Sequence, residues 1–95
     1  MAAVVLLSST SPSKLADELE LFGHRVWEAL DVSEVLFLCE QHNVDAVIIA
    51  HDVEHMDLIE KQLRGIVMRL EKSADATYVD SELANLFPGT AATVQ

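Results

Sequence analysis

The chain predicts an α/β domain built on a parallel sheet, and three observations carry that expectation. Asp45-Ala46-Val47-Ile48-Ile49-Ala50-His51-Asp52 is a short apolar run, β-branched at its centre, opened by an acid and closed by a polar pair. That composition suits a strand buried on both faces. A second run of the same kind, Ala3 to Leu7, ends in the hydroxyl-rich Ser8-Ser9-Thr10-Ser11. Around these runs apolar residues recur at helical spacing, so strand-like and helix-like segments alternate along the chain. Such alternation forces parallel strands joined by right-handed crossovers, with helices on both faces.

Each element has a local reason. Ser11 suits an N-cap, with Pro12 at the first helical position, where its missing N–H costs nothing. Leu15, Leu19 and Phe22 then share a helical face, and Gly23 is a natural stop. His24 to Leu30 reads as a second strand, with Val26 and Leu30 on one face and Trp27 and Ala29 on the other. Asp31, followed three residues on by Glu34, forms an Asp version of the capping box. The next helix carries a stripe of Val32, Val35, Leu36 and Cys39 and ends near Asn43, and Asp45 opens the third strand. A third helix from about Glu54 carries Met56, Ile59 and Leu63 and ends at Gly65; Ile66 to Leu70 is a fourth strand. Glu71 to Ala76 reads as a polar connection, and the β-branched and aromatic Thr77-Tyr78-Val79 as a short fifth strand. Ser81 then caps a helix through Phe87, which Pro88-Gly89 stops. One domain is expected over residues 1–89, with 90–95 a frayed tail.

Composition narrows the function. The apolar fraction of 51% suits a packed core. With 16 acidic and 6 basic residues, the net charge of −10 repels a phosphate backbone or an anionic membrane, so neither nucleic acid nor membrane is an expected partner. Cys39 is the single cysteine, which excludes an intrachain disulfide and fits a reducing compartment. Met1 to Leu7 lacks the basic region and length of a signal peptide, and no apolar run approaches about 18 residues, so a cytoplasmic location is the expectation.

The pattern from about Ala3 to Phe87 resembles the receiver domains of bacterial two-component signalling. Leu21-Phe22-Gly23-His24-Arg25-Val26 and the Asp45-to-Asp52 strand carry the resemblance best, Tyr78-Val79 less so. It implies a flavodoxin-like five-stranded parallel sheet of order 2-1-3-4-5. The connection from Leu70 to Thr77 is too short for the family's helix between strands 4 and 5, so that helix is expected to be missing or reduced. The family's chemistry needs acids after the first strand to hold magnesium and an aspartate at the end of the third to take the phosphoryl group. A Ser or Thr after the fourth strand and a Lys after the fifth then read that group. Here the acid pair falls at Ser8 and Ser9, the phosphoacceptor at Ala50, the Ser/Thr near Glu71 and the Lys near Ser81. A methyl group accepts nothing, and hydroxyls are poor ligands for a hard cation. The resemblance therefore implies a degenerate receiver without phosphoryl chemistry.

Other constellations are weaker. Asp52 lies two residues past Ala50, but no second acid is placed to bring in a metal. His51 and His55 bracket Asp52 and Glu54, yet a lone His pair lacks a third ligand, so no metal site and no cofactor are expected. Cys39 with His42 reads as a buried thiol on an apolar stripe, not as a nucleophile with its base. Ser8 to Ser11 follows a strand as a phosphate loop would, but without the glycine and lysine such loops use. Phe37 points away from its helix's apolar stripe, and Tyr78, Leu86 and Phe87 lie where the sheet would lose cover; these four are the candidate interface residues. The expected function is a non-catalytic signalling module acting through contact with a protein partner or as a homodimer. The alternative is a ligand-binding domain or small enzyme using the polar edge near Ser8, Ser9, His51 and Asp52.

Overall fold

The structure, a computed structural model, describes residues 2–9, 14–63 and 65–86. The element order is β1 (Ala3–Leu7), α1 (Lys14–Leu21), β2 (Arg25–Ala29), α2 (Val32–Gln41), β3 (Ala46–Ile49), α3 (Met56–Gln62), β4 (Ile66–Arg69) and α4 (Ala76–Leu86). The four strands form one all-parallel sheet of order β2-β1-β3-β4. The α/β class and the placement of the first four strands match the sequence expectation.

Both faces of the sheet are buried, so its central strands have no polar side. Val4, Val5, Leu6 and Leu7 of β1, and Ala46 to Ile49 of β3, are all buried. On one face, Val4, Leu6, Ala46, Ile48 and Met68 pack against Ala16 and Leu19 of α1 and Val79 and Leu83 of α4. On the other, Val5, Leu7, Val47 and Ile49 pack with Val35 of α2, joined by Ile59 of α3 and Val67 of β4. The result is a three-layer sandwich with α1 and α4 on one side and α2 and α3 on the other.

Polar groups at the strand ends align the layers. The Asp45 N–H donates to the Ala3 carbonyl at 2.7 Å, and its carboxylate accepts the Ala3 N–H at 2.9 Å, clamping β3 onto the start of β1. His24, buried before β2, accepts the Ala2 N–H on Nδ1 at 3.1 Å. In the neutral ring the proton therefore sits on Nε2, which lies 2.6 Å from Asp80 of α4. One imidazole thus ties the first strand and the last helix together.

α2 begins as its capping residues predict: Asp31 accepts the Glu34 N–H at 2.8 Å, while Glu34 reaches back to the Leu30 N–H at 3.1 Å. Its buried stripe is rotated by one position from the expected one. Val35 is buried, Val32 and Leu38 are half-buried, and Leu36 and Cys39 are exposed. Leu30 and Phe22, assigned to buried faces from their spacing, are 55% and 49% exposed.

The expected fifth strand is not there. Thr77, Tyr78 and Val79 lie in the first turn and a half of α4, so among the described residues the sheet has four strands and not five. Ser81, expected as a helix cap, sits inside the same helix. The cap is Asp75, whose carboxylate accepts the Tyr78 N–H at 2.9 Å. Ala76, Val79 and Leu83 then fall on one buried stripe at spacings of three and four residues. Burial of that stripe against α1 and the sheet, worth about 1.5–3 kcal/mol for each of Val79 and Leu83, outweighs a strand preference of at most about 1 kcal/mol per residue. A helix does follow β4, but it covers the face of α1. Phe87, Pro88-Gly89 and the tail 90–95 lie outside the described residues. Among the described residues no helix is long and apolar enough to cross a membrane.

Two substitutions test these local assignments by chemical denaturation. Asp75→Ala should destabilise the protein by about 1 kcal/mol through loss of the α4 cap; a strand at 77–79 would make it neutral. His55, the N-cap of α3, is the one described non-glycine residue with positive φ, at 59°. His55→Gly should therefore raise stability by about 0.5–1 kcal/mol, because it relieves left-handed strain at a position with no capping side-chain bond.

Candidate functional site

The C-terminal ends of β1 and β3 meet at the polar edge that the sequence singles out. Ser8 continues the ladder past β1: its N–H donates to the Ala29 carbonyl at 3.1 Å, and the residue is 4% exposed. Ala50 does the same for β3, donating to Leu7 at 2.9 Å, and its methyl group packs against the core on the α1 side. The turn after it closes through Val53 N–H to Ala50 carbonyl at 3.2 Å, which brings Asp52 over the end of β1. There the Ser9 hydroxyl donates to Asp52 Oδ2 at 2.7 Å, and the Ser9 N–H to Oδ1 at 3.4 Å. Sequence reasoning named both residues and missed that they pair, since nothing in the chain links positions 43 residues apart.

The Ser9 hydroxyl bond holds the Asp52 carboxyl below the ordinary aspartate range; partial burial opposes it, while backbone N–H groups and the neighbouring His51 assist. A crevice of about 390 Å³ opens beside this pair, between the starts of α2 and α3. Leu7, Val32, Val53 and Ile59 contribute apolar walls, and Asp31, Asp52 and Glu54 supply acid. Among the described residues no group of three or more His, Cys, Asp or Glu side chains is arranged to hold a metal ion.

The remaining candidates are dispersed. Glu71 is exposed in the turn after β4, where its carbonyl accepts the Ala74 N–H at 3.0 Å. Ser81 is exposed within α4, away from the strand ends, because the strand it was to follow is part of the same helix. His51 and His55 are exposed, one in the turn and one at the α3 cap. Cys39 is exposed, not buried as its stripe suggested, and the partial burial it has pushes its thiol up, away from a reactive thiolate. The His42 ring stacks on Trp27 with centroids 4.3 Å apart, which engages it elsewhere.

Of the four interface candidates, Phe37 is 59% exposed on α2, beside a hollow shared with Glu28, Glu34 and Leu38. Tyr78 and Leu86 are 48% and 44% exposed on α4. Tyr78 borders a cavity of about 230 Å³ with Arg69 and Glu71 at the end of β4. The structure thus separates Phe37 from the Tyr78 and Leu86 pair, and Phe87 lies outside the described residues.

The Ser9 bond sets a pH dependence. A depressed carboxyl contributes stability above the unfolded aspartate value of about 3.9, and loses it as pH falls through the lower folded value. An NMR titration should show the Asp52 midpoint below the ordinary aspartate value of about 3.9, moving up in Ser9→Ala. Coincident midpoints in the two proteins would contradict the pairing. Compared with family models, with curated proteins and with solved structures, the chain has no match.

Proposed function

We propose that this chain is a degenerate receiver-type module that works by protein contact and catalyses nothing. One observation carries the reading: at the strand end where a receiver keeps its phosphoacceptor, Ala50 turns a methyl group into the core. The positions around it support the same conclusion. Ser8 is buried at the end of the ladder, where such a domain needs a metal-binding acid. Ser9 spends its hydroxyl on Asp52. Transfer to an unaided carboxylate is opposed by charge, since a dianionic phosphoryl group needs a cation to approach it. The sheet order β2-β1-β3-β4 is the flavodoxin-like order 2-1-3-4-5 without its last strand. α4 lies on the side of α1, and among the described residues there is neither a fifth strand nor a helix leading to one on the face of α2.

A contact function also suits the surface. Leu36 and Phe37 on α2 and Tyr78 and Leu86 on α4 are large apolar side chains at least 41% exposed. Aromatic residues are enriched at the centres of interfaces. A second reading, a small-ligand site, rests on the 390 Å³ crevice, which lies near the small end of the range for ligand pockets. Its acidic lip would favour a cationic or uncharged ligand over a nucleotide.

Incubation with a small acyl-phosphate donor and Mg²⁺ should leave the intact mass unchanged. An acid-stable, base-labile phosphoryl adduct mapped to Asp52 would overturn the proposal.

A further inference from the structure

Among the described residues β4 is an edge strand, with no strand paired to its outer side. Its inner side pairs with β3 from Ala46–Ile66 to Ile49–Arg69, and Leu70 extends this by donating to Ile49 at 2.9 Å. Backbone groups alternate in direction along a strand, so Ile66, Met68 and Leu70 face β3, while Val67 and Arg69 turn their N–H and C=O outward. Among the described residues no strand meets them. Unpaired edge groups of this kind are a template for another strand.

A parallel strand entered from α4 is a poor occupant of that edge. β3 to β4 crosses by α3 on the face of α2, moving outward along the sheet. A next parallel strand beyond β4 would need a helix on that same face, but α4 runs over the face of α1. A crossover by α4 to the outer edge would be left-handed, against a preference of about 98%.

Charge singles out a better occupant. Between residues 57 and 75, Asp57, Glu60, Glu71 and Asp75 are balanced by Lys61, Arg64, Arg69 and Lys72. The segment built around β4 is therefore neutral, and the whole net charge of −10 resides elsewhere. Arg69 also holds Asp57 at 2.8 Å and Glu60 at 3.5 Å, which masks two acids beside the edge. For two copies of so acidic a chain, this is the side on which approach escapes like-charge repulsion.

We propose that the β4 edge pairs with the β4 edge of a second copy, antiparallel about a twofold axis at Met68, to give one continuous sheet. Val67 of each copy then exchanges backbone hydrogen bonds with Arg69 of the other, and Tyr78 beside Arg69 is covered at the end of the seam. This deepens the reading of the chain as a contact module by naming the surface and the partner.

Sedimentation equilibrium of the full chain, from micromolar to near-millimolar concentration, should approach twice the 10.5 kDa chain mass. Over the same range, amide exchange should slow at Val67 and Arg69 but not at the outer edge of β2. Arg69→Pro removes one outward N–H and should return the chain to monomer with its circular dichroism unchanged. Because that variant also loses the Asp57 and Glu60 pairs, a second one leaves the backbone intact. Lys61→Glu with Lys72→Glu, both exposed, makes the neutral side acidic and should weaken association about tenfold or more. A monomer at every concentration, or a dimer indifferent to both variants, would overturn the proposal. So would protection of these amides only when a different protein is added, an outcome that would leave the contact-module reading standing. A stable phosphoryl adduct would remove that reading without touching the dimer.

Discussion

The pairing of β1 with β3 positions everything else in the molecule. Both strands are buried on both faces, so their side chains do not distinguish one register from the next in the way an amphipathic strand's would. Polar groups at the ends make the distinction. Asp45 clamps Ala3 with both its backbone and its carboxylate, and Ser8 and Ala50 extend the ladders at the far end. A slip of one residue would strand these groups without partners, at a cost of about 1–3 kcal/mol for each buried one. The same register carries Ser9 and Asp52 to within bonding distance, so the geometry of the crevice follows from the geometry of the core.

α4 shows how tertiary burial overrides a local preference. Thr77, Tyr78 and Val79 favour a strand by residue type, yet Asp75 caps a helix and Ala76, Val79 and Leu83 complete its buried stripe. His24 adds a buried polar tie to Asp80 from the opposite end of the chain. This placement completes the layer over α1 and closes the core. It also has a cost: nothing in the described chain continues the sheet past β4. Leu36, Phe37, Tyr78 and Leu86 stay exposed on the helices, while the strand ends hold hydrogen bonds already made.

What could be read beforehand about the site was chemical identity. Ala50 at the end of a buried strand and serines after another were visible from the segments themselves, because strand position follows from local composition. Partnership was not. Ser9 and Asp52 are 43 residues apart and His24 and Asp80 56 apart, and no local pattern encodes such pairs. The spacing of α2 places Cys39 and Leu36 on a buried stripe, and the structure rotates that stripe by one position. On a helix rich in apolar residues the periodicity of α2 alone does not choose among adjacent stripes; contact with Trp27 and the sheet does.

The sequence by itself determined the α/β class, the first four strands, the α2 cap and the methyl side chain of Ala50 at the end of β3. Each depends on residues adjacent in the chain. Tertiary structure alone decided that residues 77–79 join a helix and not a fifth strand, that this helix lies over α1, that Asp52 is held by Ser9 and that no described strand pairs with the outer side of β4. Each of these depends on which distant surfaces bury one another, and that free energy is shared among residues that have no signal in common along the chain.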